Sequence, residues 1–254
     1  MTEQVPIRLE KYTRREFRKA LADGKFRVAI LATGSIEQHL EHLAIELDIA
    51  SSTYVAERVA ESLYPDVVVA VPIAIGIAEH HMSHAGTLSA KVGSWLAVMF
   101  DVVESLVRHD IKKILILNGH GGNVAPIEST LEQWRLYFKK TQSDHESNGS
   151  IPQTADDMFN VENSPIDLRF LSYWDAIPKE VGQSVLDTGQ YPGHAQEFET
   201  SVALHMFPEH VRLDAIPHSD DPGPPMATPS KGRQLIEQSV EGVTAVIRNM
   251  LGAI

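Results

Sequence analysis

Ile114 to Asn123 reads I-L-I-L-N-G-H-G-G-N. The first four residues are apolar and β-prone without a break, and the chain then turns at once to amides, glycines and one imidazole. Unbroken rather than alternating hydrophobicity marks a strand covered on both faces, as in a parallel or mixed central sheet. Two runs upstream have the same character: Arg27 to Ala32 (R-V-A-I-L-A) and Val67 to Ile75 (V-V-V-A-V-P-I-A-I). Helical stretches alternate with them, at Ile49 to Leu63, Val92 to Arg108 and Val124 to Tyr137. This β-α-β-α order predicts an α/β fold, a three-layer α-β-α sandwich with a mostly parallel central sheet. In such folds ligands gather beyond the carboxyl ends of the strands.

Working outward, Thr13 to Ala22 (T-R-R-E-F-R-K-A-L-A) reads as a short amphipathic helix with Thr13 as its N-cap. Lys139 to Pro165 is polar and turn-rich, and its pattern predicts a long loop serving as lid, interface arm or mobile insert. Glu197 to Met206 reads as a helix. A Pro-rich segment, Pro217 to Pro229, precedes a final helix from about Lys231 to Leu251. No low-complexity linker divides the chain, so one domain is expected over 1–254.

Composition narrows the function. At 254 residues and 43% hydrophobic, the chain can bury a large core. The net charge of −12 argues against a nucleic-acid partner or an acidic membrane surface, since phosphates are bound by clustered Lys and Arg. The absence of cysteine removes disulfides, thiolate ligands and a thiol nucleophile together. No apolar run approaches the roughly 20 residues of a membrane span, and the first residues lack a signal-peptide core. A cytoplasmic location is the expectation.

The chemistry concentrates at two strand ends. Glu37 and His39 follow the first apolar run, Asp48 lies nine residues beyond His39, and His120 sits among glycines after the third run. Taken singly, each would be a solvated or capping group. Together at two strand ends they call for a cation, because burying carboxylates without one costs several kcal/mol. Carboxylates and imidazoles without thiolate suit Zn²⁺, Mn²⁺ or Fe²⁺. Asp48 is the natural bridge if there are two ions. His194 and Glu197 are three apart and are read as sharing a helical face. On that reading Glu197 is a further metal ligand and His194 a catalytic proton-transfer group or substrate clamp, while Glu199 falls on another face and serves structure. Of His80, His81 and His84, read as a pocket wall, His80 is the expected substrate-binding contributor. No G-x-S-x-G, P-loop or G-x-G-x-x-G pattern offers another chemistry.

The ordered motifs G-S-I-E-Q-H-x-x-H-L-x-x-x-x-D, G-T-L-S, I-L-N-G-H-G-G-N and G-H-A-Q-E-F-E-T-S resemble those of the creatininase (creatinine amidohydrolase) family from about Gly34 to Ser201. The resemblance implies a binuclear centre of two divalent ions per chain, with Zn²⁺ first and Mn²⁺ or Fe²⁺ as alternatives. It makes Glu37, His39, Asp48, His120 and Glu197 the ligands, and it implies a homo-oligomer, specifically a hexamer. Members hydrolyse small or cyclic amides. Others are formamide deformylases, a peptide-processing branch, and a hydrolase of a cyclic inositol-derived ketone. Where creatinine-hydrolysing members carry a Tyr-Glu pair after the motif histidine, this chain has Gly121 and Gly122. The missing carboxylate is then assigned to Glu197, and creatinine is not the expected substrate. The expected activity is hydrolysis of a small cyclic amide by metal-activated water. C–C cleavage of a cyclic polyol ketone, deformylation of a formamide, and a metal-stabilised binding scaffold are the alternatives. The expected partner is a small-molecule substrate.

Overall fold

A computed structural model describes residues 6–146 and 166–252. Among the described residues four strands form one sheet: β1 (Val28–Thr33), β2 (Val67–Val69), β3 (Lys113–Asn118) and β4 (Asp167–Ser172). Their order is β2-β1-β3-β4 and all three pairings are parallel. Parallel neighbours need crossovers, and three of the described helices lie on them: α2 (Leu47–Ser62) between β1 and β2, α3 (Val92–Arg108) between β2 and β3, and α4 (Val124–Glu146) between β3 and β4. Helix α1 (Arg14–Ala22) precedes β1, and α5 (Lys179–Val185), α6 (Glu197–Met206) and α7 (Pro229–Leu251) follow β4.

Alternate residues of the strands feed two separate cores. Val28, Ile30, Val67, Val69, Leu115 and Leu117 pack on α2, α6 and α7. Ala29, Leu31, Val68, Ile114 and Ile116 pack on α1, α3 and α4. The period of two along a strand sends successive side chains to opposite faces, so a continuous apolar run needs helices on both sides. Each fully buried Val, Leu or Ile contributes about 1.5–3 kcal/mol by leaving water. The expected α/β fold, with helices on both faces of a parallel sheet, is therefore present.

Local signals account for the helix starts. Thr13 caps α1 and Glu16 reaches back to the Thr13 backbone N–H, a reciprocal capping box. Thr228 caps α7 with Pro229 in its first turn. The second apolar run shortens to a three-residue strand. Pro72 has no N–H to give to a ladder, and only the isolated Thr33–Ile73 bridge continues the pairing. The Lys139–Pro165 loop reading is corrected in part: α4 runs on to Glu146, and residues 147–165 lie outside the described residues. Among the described residues no helix is long and apolar enough to cross a membrane.

Register then sets the site. Ala32 pairs with Leu117 and Thr33 with Asn118, so β1 and β3 end side by side. The loops that follow, E-Q-H and G-H-G-G-N, leave from adjacent strand tops.

Candidate metal centre

Glu37 and His39 come from the loop after β1, Asp48 from the first turn of α2, His120 from the loop after β3, and Glu199 from the first turn of α6. All five are buried. Asp48 lies at the middle: its Oδ1 is 3.1 Å from His39 Nε2 and its Oδ2 is 2.9 Å from His120 Nδ1. Beyond His120, Nδ1 is also 3.2 Å from Glu37 Oε2. Beyond His39, Nε2 is 3.7 Å from Glu199 Oε2. One carboxylate thus faces two donor sets, Glu37 with His120 on one side and His39 with Glu199 on the other.

The outward edges of both imidazoles are fixed. His39 Nδ1 lies 3.1 Å from the Glu37 carbonyl and His120 Nε2 lies 3.0 Å from the Ile77 carbonyl. Carbonyl oxygens only accept, so those nitrogens carry hydrogen and donate, leaving His39 Nε2 and His120 Nδ1 to face the carboxylates. This is how metal-ligating histidines are oriented.

The N-G-H-G-G-N stretch also explains itself. The Asn118 side chain accepts from the His120 backbone N–H and donates to the His120 carbonyl and to Ser172. Asn123 spans from Gly34 to Ile77 and joins Asn118, stapling three loops. A side chain at Gly119 would put its Cβ 2.0 Å from the Asp48 carbonyl, so only glycine lets this loop approach α2 closely. At Gly122 a Cβ would come within 2.5 Å of His120 Nε2. His42, buried on the same side, meets Thr200 Oγ1 at 2.8 Å and ties the first loop to α6.

Burial opposes charge on His39 and His120, but the carboxylates beside them outweigh it and raise their pKa values to about 9 and about 10. Burial pushes Asp48 up, and the two imidazoles more than reverse this. Glu199 is pushed up to about 7 by burial and by the negative charge of Asp48 and Glu37, only partly offset by His39. The buried Glu37 Oε2, His39 Nε2 and Asp48 Oδ2 atoms complete no hydrogen bond. Three buried carboxylates converging on the inward nitrogens of two imidazoles, with orphaned polar atoms at the centre, fit divalent ions that would take the place of the imidazole protons. Glu37, His39 and Asp48 form one group able to hold an ion, and His39, His194 and Glu199 another.

One ligand assignment needs correction. Glu197 is not among the side chains brought together: its oxygens accept from the Asp187 and Thr188 backbone N–H groups and pair with Lys231 Nζ at 2.5 Å. Glu199 stands at the site instead. The helical face shared by His194 and Glu197 does not form, because α6 begins only at Glu197 and Ala195 before it has φ 51°. Glu199, in the third helical position, leans toward the helix N-terminus as side chains there do, and accepts from the Ala195 N–H. That lean was the available sequence signal.

A cavity of about 530 Å³ opens above the cluster, walled by His80, His81, Trp174 and His194 among others. His80 stacks on His120 with ring centroids 5.8 Å apart. His194 lies over His39 with centroids 4.5 Å apart, and burial together with positive His39 lowers its pKa to about 4. His81, read with His80 as pocket wall, does line this space, with Nε2 3.6 Å from Glu37 Oε1, and Gln38, which the sequence reading passes over, touches His81 and His194 behind it.

A parallel α/β sheet with a carboxylate–imidazole cluster beyond its strand ends is an architecture that could hold divalent ions at the place where such folds bind ligands. The family model for creatininase, described as creatinine amidohydrolase, matches residues 10–247, and the chain belongs to that family. It is 24% identical to a creatinine amidohydrolase of Pseudomonas putida, over 93% of this chain and 94% of that protein. It is 25% identical to a mycofactocin precursor peptide peptidase of Mycobacterium ulcerans (strain Agy99), over 74% of this chain and 61% of that protein. Among solved structures, a manganese creatininase superposes with a TM-score of 0.77 at 22% identity, covering 97% of this chain and 99% of that one. A creatinine amidohydrolase gives 0.75 at 21%, covering 96% and 98%. These likenesses confirm the fold.

Proposed function

We propose that this chain is a metal-dependent amidohydrolase that hydrolyses the C–N bond of a small amide, with cyclic amides as the leading class. The observation that carries the reading is Asp48, whose two oxygens face separate donor sets at 3.1 Å and 2.9 Å. Glu37, Asp48 and His120 would hold one divalent ion and His39, Asp48 and Glu199 the other, zinc, manganese and iron all suiting these donors. Bound ions of this kind supply an acidified water and a polarised carbonyl.

The chain's own residues do the rest. Trp174 and the histidines of the wall enclose a substrate of modest size. His194, partly exposed at the mouth with Nδ1 3.8 Å from Glu37 Oε1, is the group placed to meet the reacting amide. Gly121 and Gly122 leave their part of the wall without side chains. The relatives named as amidohydrolase and as peptide peptidase both act at amide bonds by those names, which supports the same bond type here. An oligomer in the cytoplasm, hexameric by resemblance, belongs to the same reading. Light scattering giving a mass near 28.1 kDa would overturn the assembly.

The deciding experiment combines elemental analysis of chelator-free protein with a product screen over lactams, formamides, short peptides and cyclic ketones. A new carboxylate with a new amine, both on one ring-opened molecule for a lactam and on separate products for an open amide, together with about two ions per chain, is the expected result. A carboxylate released only from a ketone, or no turnover with ions bound, overturns it.

A further inference from the structure

Gln38 sits between two candidate ligands, and its side chain touches two others of the pocket's histidines. Its Oε1 accepts from the Leu40 backbone N–H at 3.0 Å. A backbone N–H can only donate, so the carboxamide's oxygen end is fixed there and its nitrogen is turned to the two imidazoles. Leu40 has φ 55°, an uncommon conformation for a bulky side chain. Gln38 Nε2 lies 3.0 Å from His81 Nδ1 and 3.0 Å from His194 Nε2. The two rings stack with centroids 4.6 Å apart and planes 18° from parallel.

An amide nitrogen has two hydrogens and no lone pair to offer. Both ring nitrogens it meets must therefore accept. A neutral imidazole that accepts at one nitrogen carries its hydrogen on the other. The hydrogens are then on His81 Nε2 and His194 Nδ1, which stand 3.6 Å and 3.8 Å from the same oxygen, Glu37 Oε1. Those separations exceed a hydrogen bond, so both N–H groups remain open to an acceptor in the pocket.

We propose that Gln38 is a positioning residue that fixes His81 and His194 as paired N–H donors aimed into the cavity. The proposal rests on the amidohydrolase reading only in naming the acceptor, an amide carbonyl oxygen. It also decides the fate of a third ion group. Glu37, His81 and His194 have the spacing to hold a metal. A protonated ring nitrogen has no lone pair to give it, so the trio serves as a donor pair beside Glu37 rather than as an additional ion site.

The test is nitrogen-15 solid-state spectroscopy of histidine-labelled, zinc-loaded full-length protein, with His81 and His194 assigned by loss of signal in single variants. The expected wild-type result is hydrogen on His81 Nε2 and His194 Nδ1. Gln38→Glu presents only acceptors, so the nitrogens facing residue 38 become protonated. Gln38→Met fills the space without a donor and gives mixed tautomers. Unchanged zinc content in both variants shows that the site has kept its shape. A wild-type lone pair at His81 Nε2 or His194 Nδ1, or tautomers that ignore both substitutions, overturns the proposal. Failure of every amide to turn over, with these tautomers observed, sinks the substrate reading and leaves the role of Gln38 standing.

Discussion

Glu197 and Glu199 stand two residues apart in the first turn of α6 and serve opposite sides of it. Glu197 Oε1 is 2.5 Å from Lys231 Nζ on α7, whereas Glu199 Oε2 is 3.7 Å from His39 Nε2 at the candidate metal centre. Both are buried acids, but burial raises the pKa of Glu199 to about 7, whereas at Glu197 burial is outweighed by Lys231 and two backbone N–H groups, which hold its pKa down. One is a structural clamp and the other a candidate ligand.

Substitution should separate them. Glu199→Gln is expected to lower ion content by about one per chain while the fold is kept, because the set with His39 loses its terminal carboxylate. Glu197→Ala should keep the ions but destabilise by about 3 kcal/mol, since it leaves Lys231 without its buried partner. Elemental analysis and denaturant melts on both variants decide. The opposite pattern, ions lost with Glu197 and kept with Glu199, would restore Glu197 as the ligand.

Asp48→Ala is expected to remove both ions together, because each donor set borrows one Asp48 oxygen. Ion content should fall from about two per chain to near zero, and activity with it. Retention of one ion after desalting shows that the carboxylate is not shared.

Ion uptake should release protons. In the metal-free chain His39 and His120 hold theirs up to about pH 9 and about pH 10. Ligation needs the lone pairs, so affinity rises as pH rises toward those values. The sign for stability is the reverse. Folded-state pKa values above the unfolded value of about 6.5 stabilise fully below that pH, and the contribution is lost as pH climbs through about 9 to 10. Metal-free protein should thus melt earlier at pH 9 than at pH 6. Calorimetric titrations in two buffers of different ionisation enthalpy measure the protons released; a buffer-independent heat refutes the linkage.

The sequence shows where its legibility ends. β1 and β3 announce themselves because both faces are covered, and α1 because T-R-R-E is a capping box. β4 (D-L-R-F-L-S) escapes because only Leu168 and Ser172 are buried along it, while Asp167 and Arg169 pair with each other at 2.7 Å near the surface. The end of α4 escapes because T-Q-S-D-H-E lacks an apolar period, although such residues can extend a helix already begun. The positions of Glu37, His39, Asp48 and His120 follow from strand ends. The choice between Glu197 and Glu199 depends on where a helix starts, and a left-handed Ala195 sets that start. Spacing alone carries no such information.

Gly119→Ala tests the close approach that brings Asp48 and His120 together. The added Cβ would lie 2.0 Å from the Asp48 carbonyl, so the loop or the first turn of α2 must move. Overpacking of this kind costs about 1–3 kcal/mol. The displacement should also weaken ion binding, since it opens the 2.9 Å contact between His120 and Asp48. A variant with wild-type melting and wild-type ion affinity shows that the two segments are not held in this register.

His194→Asn should keep the fold and the ions and lower kcat by about 10², the usual worth of a positioned proton-transfer group or hydrogen-bond donor. The imidazole stands over His39 with its Nδ1 3.8 Å from Glu37 Oε1, at the mouth of the cavity rather than at its floor. Its pKa of about 4 leaves it neutral at pH 7, so it meets substrate through an N–H hydrogen and not through a full charge. Asparagine brings its amide nitrogen near the place of Nδ1 but has no ring nitrogen for Gln38 Nε2 to hold at 3.0 Å, so nothing keeps a donor rather than the amide oxygen turned to the substrate. Turnover and ion content measured on one preparation distinguish the cases. Unchanged kcat refutes the role, and loss of one ion makes His194 a ligand with His39 and Glu199, a trio whose donor atoms lie within 4.8 Å of one another.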